Sequence, residues 1–335
     1  MDLNEFIADW QSESPTVLVH TSGSTGQPKP MLVEKRRMEV SARITCQYLG
    51  LKAGDTALLC LPLDYIAGKM MVVRALTCGL RLICVKPCGH PLGCEVVSAT
   101  CEAQPVVPID FAAMVPMQVY NSLLVPVERE RLRHIRHLII GGGAIDEHLA
   151  QELRDFPNAV WSTYGMTETL SHIALRRLSG PEASEWYTPF EGVSVTLNAD
   201  SCLIIDAPAV HEGALVTNDI AELSADGRFH ILGRKDNVIC SGGVKIQIEE
   251  VERLLRQHTS VPLLITKCKD GKFGEAVVML TESSETDTLL QLSQRVLPRF
   301  WQPKHIFSVE KLPFTETGKP ARMEAEFLAS KKIPG

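Results

Sequence analysis

The sequence predicts an α/β fold: a large N-terminal domain with a mostly parallel sheet flanked by helices, a small β-rich subdomain, and a small α+β C-terminal domain. Short apolar runs alternate with helical patterns through the first two thirds of the 335 residues, which is typical of a parallel sheet. From about residue 190 short strands are separated by turns. A tail of about 100 residues then carries strands and helices of its own, enough for an independent unit.

The predicted elements of the first part follow the apolar pattern. Strands are predicted at residues 17–19, 57–61, 80–85, 106–109, 137–140 and 159–163. Helices are predicted at residues 34–49, 69–77, 111–123 and 147–154. Ligands gather at the carboxyl ends of strands in such sheets, so we expect three polar or glycine-rich loops to lie there: 21–29, 141–143 and 164–169.

The remaining elements define the domain limits. Residues 1–233 form the predicted large domain, with an α/β part at 17–180 and a β-rich part at 190–233. Residues 234–237 are the predicted boundary, and 238–335 form the small domain, with helices at 248–257 and 288–296 and strands at 262–266 and 276–280.

Composition excludes several classes of protein. Hydrophobic residues make up 45% and charged residues 22%, with a net charge of −6, so a nucleic-acid partner, which needs a basic face, is not expected. Four charged residues interrupt the most apolar region, 57–85, which argues against a membrane span. The first residues lack an apolar signal core, and the ten cysteines are scattered. We therefore expect reduced thiols in a cytoplasmic protein. The oligomeric state stays open, a dimer included.

The segment from His20 to Lys29 is rich in hydroxyl side chains and glycines. Glycines let backbone N–H groups turn toward an anion, and the lysine adds charge, so the loop is suited to holding phosphates. It does not end in the Gly-Lys-Ser/Thr of the common nucleotide loop. A flexible Ser/Gly turn is the alternative for this loop alone.

Further polar segments follow along the chain. Tyr164 can stack on a base, and Glu168 can hold a divalent cation. Asp219 can accept hydrogen bonds from a ribose diol, and Arg234 can bind ribose or phosphate with its fork. Lys319, on a polar loop, can neutralise a reacting phosphate. Each has a structural alternative: a helix cap, an Asx turn, or a solvated lysine.

Taken together and in this order, these segments resemble the adenylate-forming superfamily of acyl- and aryl-CoA synthetases, over about residues 17–322. The resemblance implies a two-step ligase that uses ATP and Mg²⁺ to convert a carboxylic acid to an acyl-adenylate and then transfers the acyl group to coenzyme A. It also implies that the small C-terminal domain is mobile and turns about Asp236 between the two steps.

The resemblance carries the following roles to this chain. The catalytic residues are Lys319, Thr167 and Glu168, with Glu168 also the magnesium ligand. The ATP- and AMP-binding residues are Thr21, Ser22, Gly23, Ser24, Thr25, Gly26, Lys29, Gly141, Gly142, Gly143, Tyr164, Gly165, Asp219 and Arg234. The pantetheine channel of coenzyme A is lined by Gly242 and Gly243.

The chain departs from the family pattern in three places. The phosphate loop ends in Lys29-Pro30, where the family usually has Lys-Gly. About 20 residues precede that loop, so we expect most of an N-terminal subdomain of the family to be missing. Tyr65 stands where the family has a histidine in a Leu-Pro-Leu-x-His-x-x-Gly segment that ends here at Gly68.

Residues 164–175 look like those of o-succinylbenzoate–CoA ligases of menaquinone synthesis, whose acid carries two carboxylates. One carboxylate is activated and the other needs a cation or hydrogen-bond donors. The candidate residues for the acid are Tyr65, Gly68, Lys69, Arg74 and His172. A solvated or structural role for the charged ones and the histidine is the alternative. Two other hypotheses stay open: a CoA ligase or carrier-loading enzyme for another aryl or fatty acid, and a nucleotide-binding remnant without catalysis.

Overall fold

An antiparallel hairpin between helices forms the first part of the computed structural model, which describes residues 1–20, 30–93, 108–315 and 319–333. Helix α1 is Leu3–Gln11, strands β1 and β2 are Thr16–His20 and Pro30–Glu34, and helix α2 is Lys35–Tyr48. Strands β1 and β2 pair with each other from Thr16↔Glu34 to His20↔Pro30. The loop at 21–29 lies outside the described residues. Its flanking strands form a separate two-stranded antiparallel sheet, so the prediction that β1 belongs to the parallel sheet is wrong.

A seven-stranded sheet forms the centre of the large domain. Its strands are β3 (Thr56–Leu59), β4 (Arg81–Cys84), β5 (Phe111–Met114), β6 (His137–Ile140), β7 (Ala159–Gly165), β8 (His172–Arg177) and β9 (Thr188–Pro189). The order is β4-β3-β5-β6-β7-β8-β9, parallel as far as β7 and antiparallel beyond it. The predicted mostly parallel sheet is confirmed.

Helices connect the parallel strands, as the alternating pattern predicts. They are α3 (Ile66–Cys78), α4 (Pro116–Leu124), α5 (Pro126–His134) and α6 (Glu147–Arg154). Helix α3 is apolar on most sides because it is covered by both the sheet and α2, and it buries every residue from Gly68 to Ala75. Two cations, Lys69 and Arg74, are therefore carried into the interior by an otherwise apolar helix.

Between residues 108 and 123 the structure contradicts both the predicted strand and the start of the predicted helix. Residues 111–114, predicted as the start of a helix, form β5, and 108–109, the described part of the strand predicted at 106–109, are irregular. The helix begins at Pro116 instead. Proline is favoured in the first helical turn but keeps the residue before it, here Val115, out of the helical region. A four-residue apolar run carries no period that could separate strand from helix.

The β-rich part is a four-stranded antiparallel sheet, which confirms the change of pattern after residue 190. Its strands are β10 (Ser194–Leu197), β11 (Cys202–Asp206), β12 (Ala214–Leu223) and β13 (Phe229–Arg234). Strand β12 pairs with β13 so that Asp219 stands opposite Arg234. This register places two predicted nucleotide-binding residues side by side.

The last part of the chain folds around a mixed sheet of its own. The elements are β14 (Val238–Ser241), β15 (Val244–Gln247), α7 (Ile248–Arg256), β16 (Leu263–Asp270), β17 (Gly274–Thr281), α8 (Thr286–Val296), β18 (His305–Ser308) and α9 (Arg322–Lys332). Its two apolar cores contain only residues from Ile239 onward, whereas the cores of the large domain end at Phe229. None of the helices in the described ranges is long and apolar enough to cross a membrane.

Candidate active site

Two glycine-containing turns meet at the carboxyl ends of the adjacent parallel strands β6 and β7. Gly141 follows β6 and lies against Thr163 of β7, where a Cβ atom would come within 2.4 Å of the threonine Oγ1. Gly142 has a φ of +79°, a conformation that favours glycine. The predicted turn at 141–143 therefore lies beside the strand that carries Tyr164, which the structure places within β7 and not after it.

The turn after β7 is closely packed. A Cβ atom on Gly165 would come within 2.2 Å of the Ser171 carbonyl oxygen. The Thr169 hydroxyl donates to the carbonyls of Met166 and Ser171 and accepts from the Met166 N–H. Thr167–Thr169 forms one turn of 3₁₀ helix, and this packing fixes the positions of Thr167 and Glu168.

Gly165→Ala is a direct test of that packing. The added methyl group would overlap backbone atoms, which cannot move aside as a flexible side chain can. We expect a loss of about 2 kcal/mol or more in the free energy of unfolding, typical of overpacking at a closely packed position. Denaturant titration measures it. Gly271→Ala, at a turn glycine without a positive φ and with nothing within 4 Å of the added carbon, is the comparison for a glycine without close contacts, and equal losses would contradict the packing explanation.

Tyr164, Asp219 and Arg234 form one hydrogen-bonded group, as expected for nucleotide contacts that act together. The Tyr164 hydroxyl donates to Asp219 Oδ2 at 2.7 Å, and Arg234 Nη1 donates to Asp219 Oδ1 at 3.0 Å. Burial and the neighbouring carboxylate raise the pKa of Tyr164, so the phenol stays protonated and keeps donating. Asp219 is thus held between a phenol and a guanidinium.

Two aromatic rings, those of Tyr187 and Phe229, pack against the ring of Tyr164. Its ring centroid lies 5.7 Å from that of Tyr187 and 5.0 Å from that of Phe229, and these two rings stack on each other at 5.4 Å. The Tyr187 hydroxyl is in turn bonded to Ser162 at 2.7 Å. Such packing fixes the plane of the tyrosine ring, which a residue that stacks on a base requires.

Arg234 also reaches the predicted hinge. Its Nη2 donates to Asp236 Oδ2 at 2.9 Å, and Asn218 Nδ2 lies 3.2 Å from the same oxygen. Burial lowers the pKa of Arg234, but the Asp219 and Asp236 carboxylates more than offset this, so the pKa stays above its ordinary value. Asp236 thus connects the short helical turn at Lys235–Asn237 to the hydrogen-bonded group of Tyr164, Asp219 and Arg234.

Lys319 is brought to the same place from the small domain. Burial and then the charge of Arg234 lower its pKa, while Asp219 acts in the opposite direction, so both side chains lie within electrostatic range of the lysine. Thr315 and Lys319 hydrogen-bond each other, and Phe314 pairs with Pro320. Thr315 and Lys319, in the polar loop predicted from the sequence, are therefore held together by hydrogen bonds close to Arg234.

Arg74 is a buried cation without a counter-ion among the described residues. It is 2% exposed. Its Nη2 donates to Ser171 Oγ at 2.6 Å, and its Nε is buried with no hydrogen-bond partner in the described part of the chain. Burial lowers its pKa to about 10, so it remains protonated near neutral pH. A buried, positively charged group beside the Tyr164–Ser171 turn can receive an anion.

His172 lies next to Arg74, whereas Lys69 is directed elsewhere. The His172 ring is bonded to Ser171 Oγ and Thr45 Oγ1, and burial together with Arg74 lowers its pKa well below the ordinary value. Lys69 Nζ donates to the Leu63 carbonyl at 2.7 Å and lies 5.4 Å from the Phe6 ring. We therefore keep Arg74 and His172, and not Lys69, as candidates for contact with the acid.

The structure places the remaining candidates as follows. Tyr65 precedes α3 and forms an isolated bridge with His20, so it stands near the start of the 21–29 segment. Gly68 packs against the Pro62 carbonyl, where a Cβ would lie at 2.2 Å. Gly242 and Gly243 form the turn between β14 and β15, both with positive φ. The seven predicted phosphate-loop residues, Thr21, Ser22, Gly23, Ser24, Thr25, Gly26 and Lys29, lie outside the described residues.

Glu168 fits the predicted role of magnesium ligand by its chemistry. Within the described ranges no hydrogen bond or ion pair of its carboxylate is found, and no group of three or more His, Cys, Asp or Glu side chains there could hold a metal ion. Mg²⁺ is commonly held by one or two carboxylates together with substrate phosphates. Glu168, half-buried at the end of β7, can supply such a carboxylate.

Sequence reasoning did not select Thr45, Ser171 or Tyr187. The contact between Thr45 and His172 joins residues 127 positions apart, and no local pattern predicts it. Ser171 lies two residues after the end of the Tyr164–Thr169 motif, and this proximity was the one signal in the sequence that could have selected it.

A parallel sheet with an aromatic residue, an acid–base pair and a lysine converging at its carboxyl end defines a nucleotide-binding α/β protein. More specifically, the chain belongs to the family of AMP-binding enzymes, whose family model matches residues 4–209.

Similar proteins agree with this assignment. An acyl-CoA synthetase (AMP-forming)/AMP-acid ligase II-like protein from Dyadobacter fermentans has a solved structure that is 32% identical, with a TM-score of 0.62, and the match covers 97% of this chain and 92% of that one. A 2-succinylbenzoate–CoA ligase from Haemophilus influenzae is 26% identical over 311 residues, which are 86% of this chain and 65% of the relative.

The fold is also that of a larger ligase. The O-succinylbenzoate coenzyme A synthetase of Bacillus subtilis, solved in complex with ATP and magnesium ion, has a TM-score of 0.73 at 22% identity, and the match covers 92% of this chain and 69% of that one. This chain thus spans about two thirds of the length of these two ligases.

Proposed function

We propose that this protein is an ATP-dependent acid–thiol ligase that converts o-succinylbenzoate to its acyl-adenylate, releases pyrophosphate, and transfers the acyl group to coenzyme A. The reaction would serve menaquinone synthesis. The observation that carries the adenylation step is the convergence of Tyr164, Asp219, Arg234 and Lys319 at the end of β7. A binding protein without catalysis has no need of a half-buried lysine at that place.

Each of these side chains is suited by its chemistry to a different part of ATP. Tyr164, held by Tyr187 and Phe229, offers a flat face to the base. Asp219 accepts hydrogen bonds from the ribose, and Arg234 fixes the orientation of the Asp219 carboxylate. Mg²⁺ bound at Glu168 would neutralise phosphate charge. Lys319 donates to the oxygen atoms of the α-phosphate as negative charge develops there while the acid attacks.

Arg74 is the residue that supports a dicarboxylic acid as substrate. Burying an isolated charge is costly unless a partner neutralises it, and no carboxylate of the described residues pairs with Arg74. An acid with a second carboxylate would supply the missing counter-ion. The names of the curated relatives, 2-succinylbenzoate–CoA ligases, give the identity of such an acid.

We further propose a hinge, a contact with coenzyme A and a cellular compartment for this protein. Residues 234–237 would be the hinge of a mobile small domain, because the apolar cores end on either side of them. The Gly242–Gly243 turn would face the pantetheine arm after that rotation. We place the protein in the cytoplasm, and the free thiols of Cys46, Cys78, Cys84, Cys202, Cys240 and Cys268 support a reducing compartment.

Pyrophosphate release from ATP tests the proposal directly. The purified protein is incubated with MgATP and either o-succinylbenzoate, benzoate, a fatty acid or no acid, and AMP is then followed on addition of coenzyme A. We expect pyrophosphate release with o-succinylbenzoate and AMP release that depends on coenzyme A. Preference for another acid would favour a ligase of different specificity. ATP binding in calorimetry without turnover of any acid would favour a nucleotide-binding remnant.

A further inference from the structure

A series of hydrogen bonds connects Arg74, through Ser171 and His172, to Thr45 on helix α2. Arg74 Nη2 lies 2.6 Å from Ser171 Oγ, which lies 3.2 Å from His172 Nδ1. His172 Nε2 is 3.1 Å from Thr45 Oγ1, and the Thr45 hydroxyl donates to the Ser41 carbonyl at 3.1 Å. The series joins α3, the start of β8 and α2.

One assignment of protons satisfies all four contacts and leaves the His172 ring uncharged; a doubly protonated ring would meet the same contacts by donating to both Ser171 and Thr45. The guanidinium can only donate, so Ser171 accepts from Arg74 and donates its own proton to His172 Nδ1. The Thr45 proton is used on the Ser41 carbonyl, so Thr45 accepts from His172 Nε2. In this assignment His172 is the neutral tautomer that carries its proton on Nε2.

The surroundings of His172 favour this neutral form. The ring is buried, it packs edge-on against Phe190 at 5.5 Å between centroids, and Arg74 is the charged group that acts on it most strongly. Both burial and the neighbouring cation oppose a second positive charge. Because the ring is neutral, the site holds one cation, Arg74.

We propose that Thr45 is a positioning residue for recognition of the acid: it fixes the tautomer of His172, which through Ser171 fixes the direction of the Arg74 guanidinium. Thr45 is fully buried and acts through these side chains without being assigned any contact with the acid. The inference rests on the proposed function, in which Arg74 receives the second carboxylate of the acid.

The hydroxyl of Thr45 is what the position requires. Valine has nearly the same shape but would leave the His172 Nε2 proton without an acceptor, and an unsatisfied buried donor costs enough free energy to turn the ring or shift the loop. Arg74 Nη2, 3.5 Å from Thr45 Oγ1, would lose the same neighbour. Serine keeps the hydroxyl and loses one methyl group.

Thr45→Val and Thr45→Ser form a matched pair for the test. With the pyrophosphate-release assay, we expect Thr45→Val to raise KM for o-succinylbenzoate about tenfold, as expected for a hydrogen bond that supports a charged group. kcat and KM for ATP should stay within about twofold, since the ATP contacts lie on other residues. Thr45→Ser, which keeps the hydroxyl, should leave KM for the acid near the wild-type value.

A second measurement separates positioning from general stability. In an Arg74→Met background, Thr45→Val should cause no further change in kcat/KM for the acid, because the two residues would act in one series. If Thr45→Val does not fold, His172→Phe, which keeps the ring but removes both nitrogens, should give the same rise in KM.

Other outcomes overturn the proposal. Equal KM values for the valine variant and the wild type would show that Thr45 does not position Arg74, and equal losses in the serine and valine variants would indicate packing alone. Absence of pyrophosphate release by the wild-type protein with every acid would instead overturn the proposed function, so the two failures are distinguishable.

Discussion

Lys319→Ala slows formation of the acyl-adenylate by about 10²–10³-fold, the effect expected on removal of one preorganised donor at a developing oxyanion. The side chain lies within electrostatic range of Arg234 and Asp219, where the nucleotide binds in the proposed function. Thioester formation from supplied acyl-adenylate should be unaffected. In that step the thiol attacks the acyl carbon, and no bond to phosphorus is formed or broken.

The two half-reactions are measured separately, by single-turnover pyrophosphate release and by AMP release from supplied acyl-adenylate and coenzyme A. Lys311→Ala, which removes an exposed lysine of the same domain, is the control and should leave both rates unchanged. Equal losses of both rates in Lys319→Ala would argue against the assigned role.

The pH dependence of the same step follows from the pKa of Lys319. Burial and Arg234 lower this pKa below the ordinary value of 10.5, and the active form is the protonated one. We therefore expect kcat/KM for ATP, which reports the free enzyme, to fall as pH rises through a value below 10.5. Persistence of that alkaline decline in Lys319→Ala would assign it to another group.

Arg74→Met has the second large expected effect, a fall of about a hundredfold in kcat/KM for o-succinylbenzoate. Removing one partner of a buried charge pair typically costs 2–5 kcal/mol, and methionine fills the space without replacing the charge. KM for ATP should hardly change, because Arg74 is not part of the Tyr164–Asp219–Arg234 group.

Lys69→Met is the matched control, since it removes the other buried cation of the same helix. Lys69 Nζ bonds the Leu63 carbonyl, so this change should alter the free energy of unfolding while KM for the acid stays near the wild-type value. A larger KM effect in Lys69→Met than in Arg74→Met would transfer the acid-binding role to Lys69.

The spacing of apolar residues was sufficient to predict most strands of the central sheet, because each is a short buried run bounded by turns. It failed at Phe111–Met114, whose four apolar residues fit a strand and a helix equally. It also could not show that β1 pairs with β2, since pairing partners depend on the whole sheet.

The candidate site was predictable where a motif fixes both residue type and position, as for Tyr164, Asp219 and Arg234. The bond between Tyr164 and Asp219 joins residues 55 positions apart, so their contact required the fold. Lys69 and Arg74 are five residues apart, about 140° around a helix. The sequence therefore indicated that they face different directions but not which of them faces the site.

The buried position of Arg74 has a consequence for how ligands can be identified. A buried cation with no counter-ion in the described ranges of the chain lowers the stability of the free form, and an anion that reaches it removes this deficit. Binding of a suitable acid should therefore raise the melting temperature through linkage, before any catalysis takes place. Thermal unfolding across a library of acids then becomes a search for natural substrates that needs neither ATP nor turnover, with Arg74→Met as the variant in which the shift disappears.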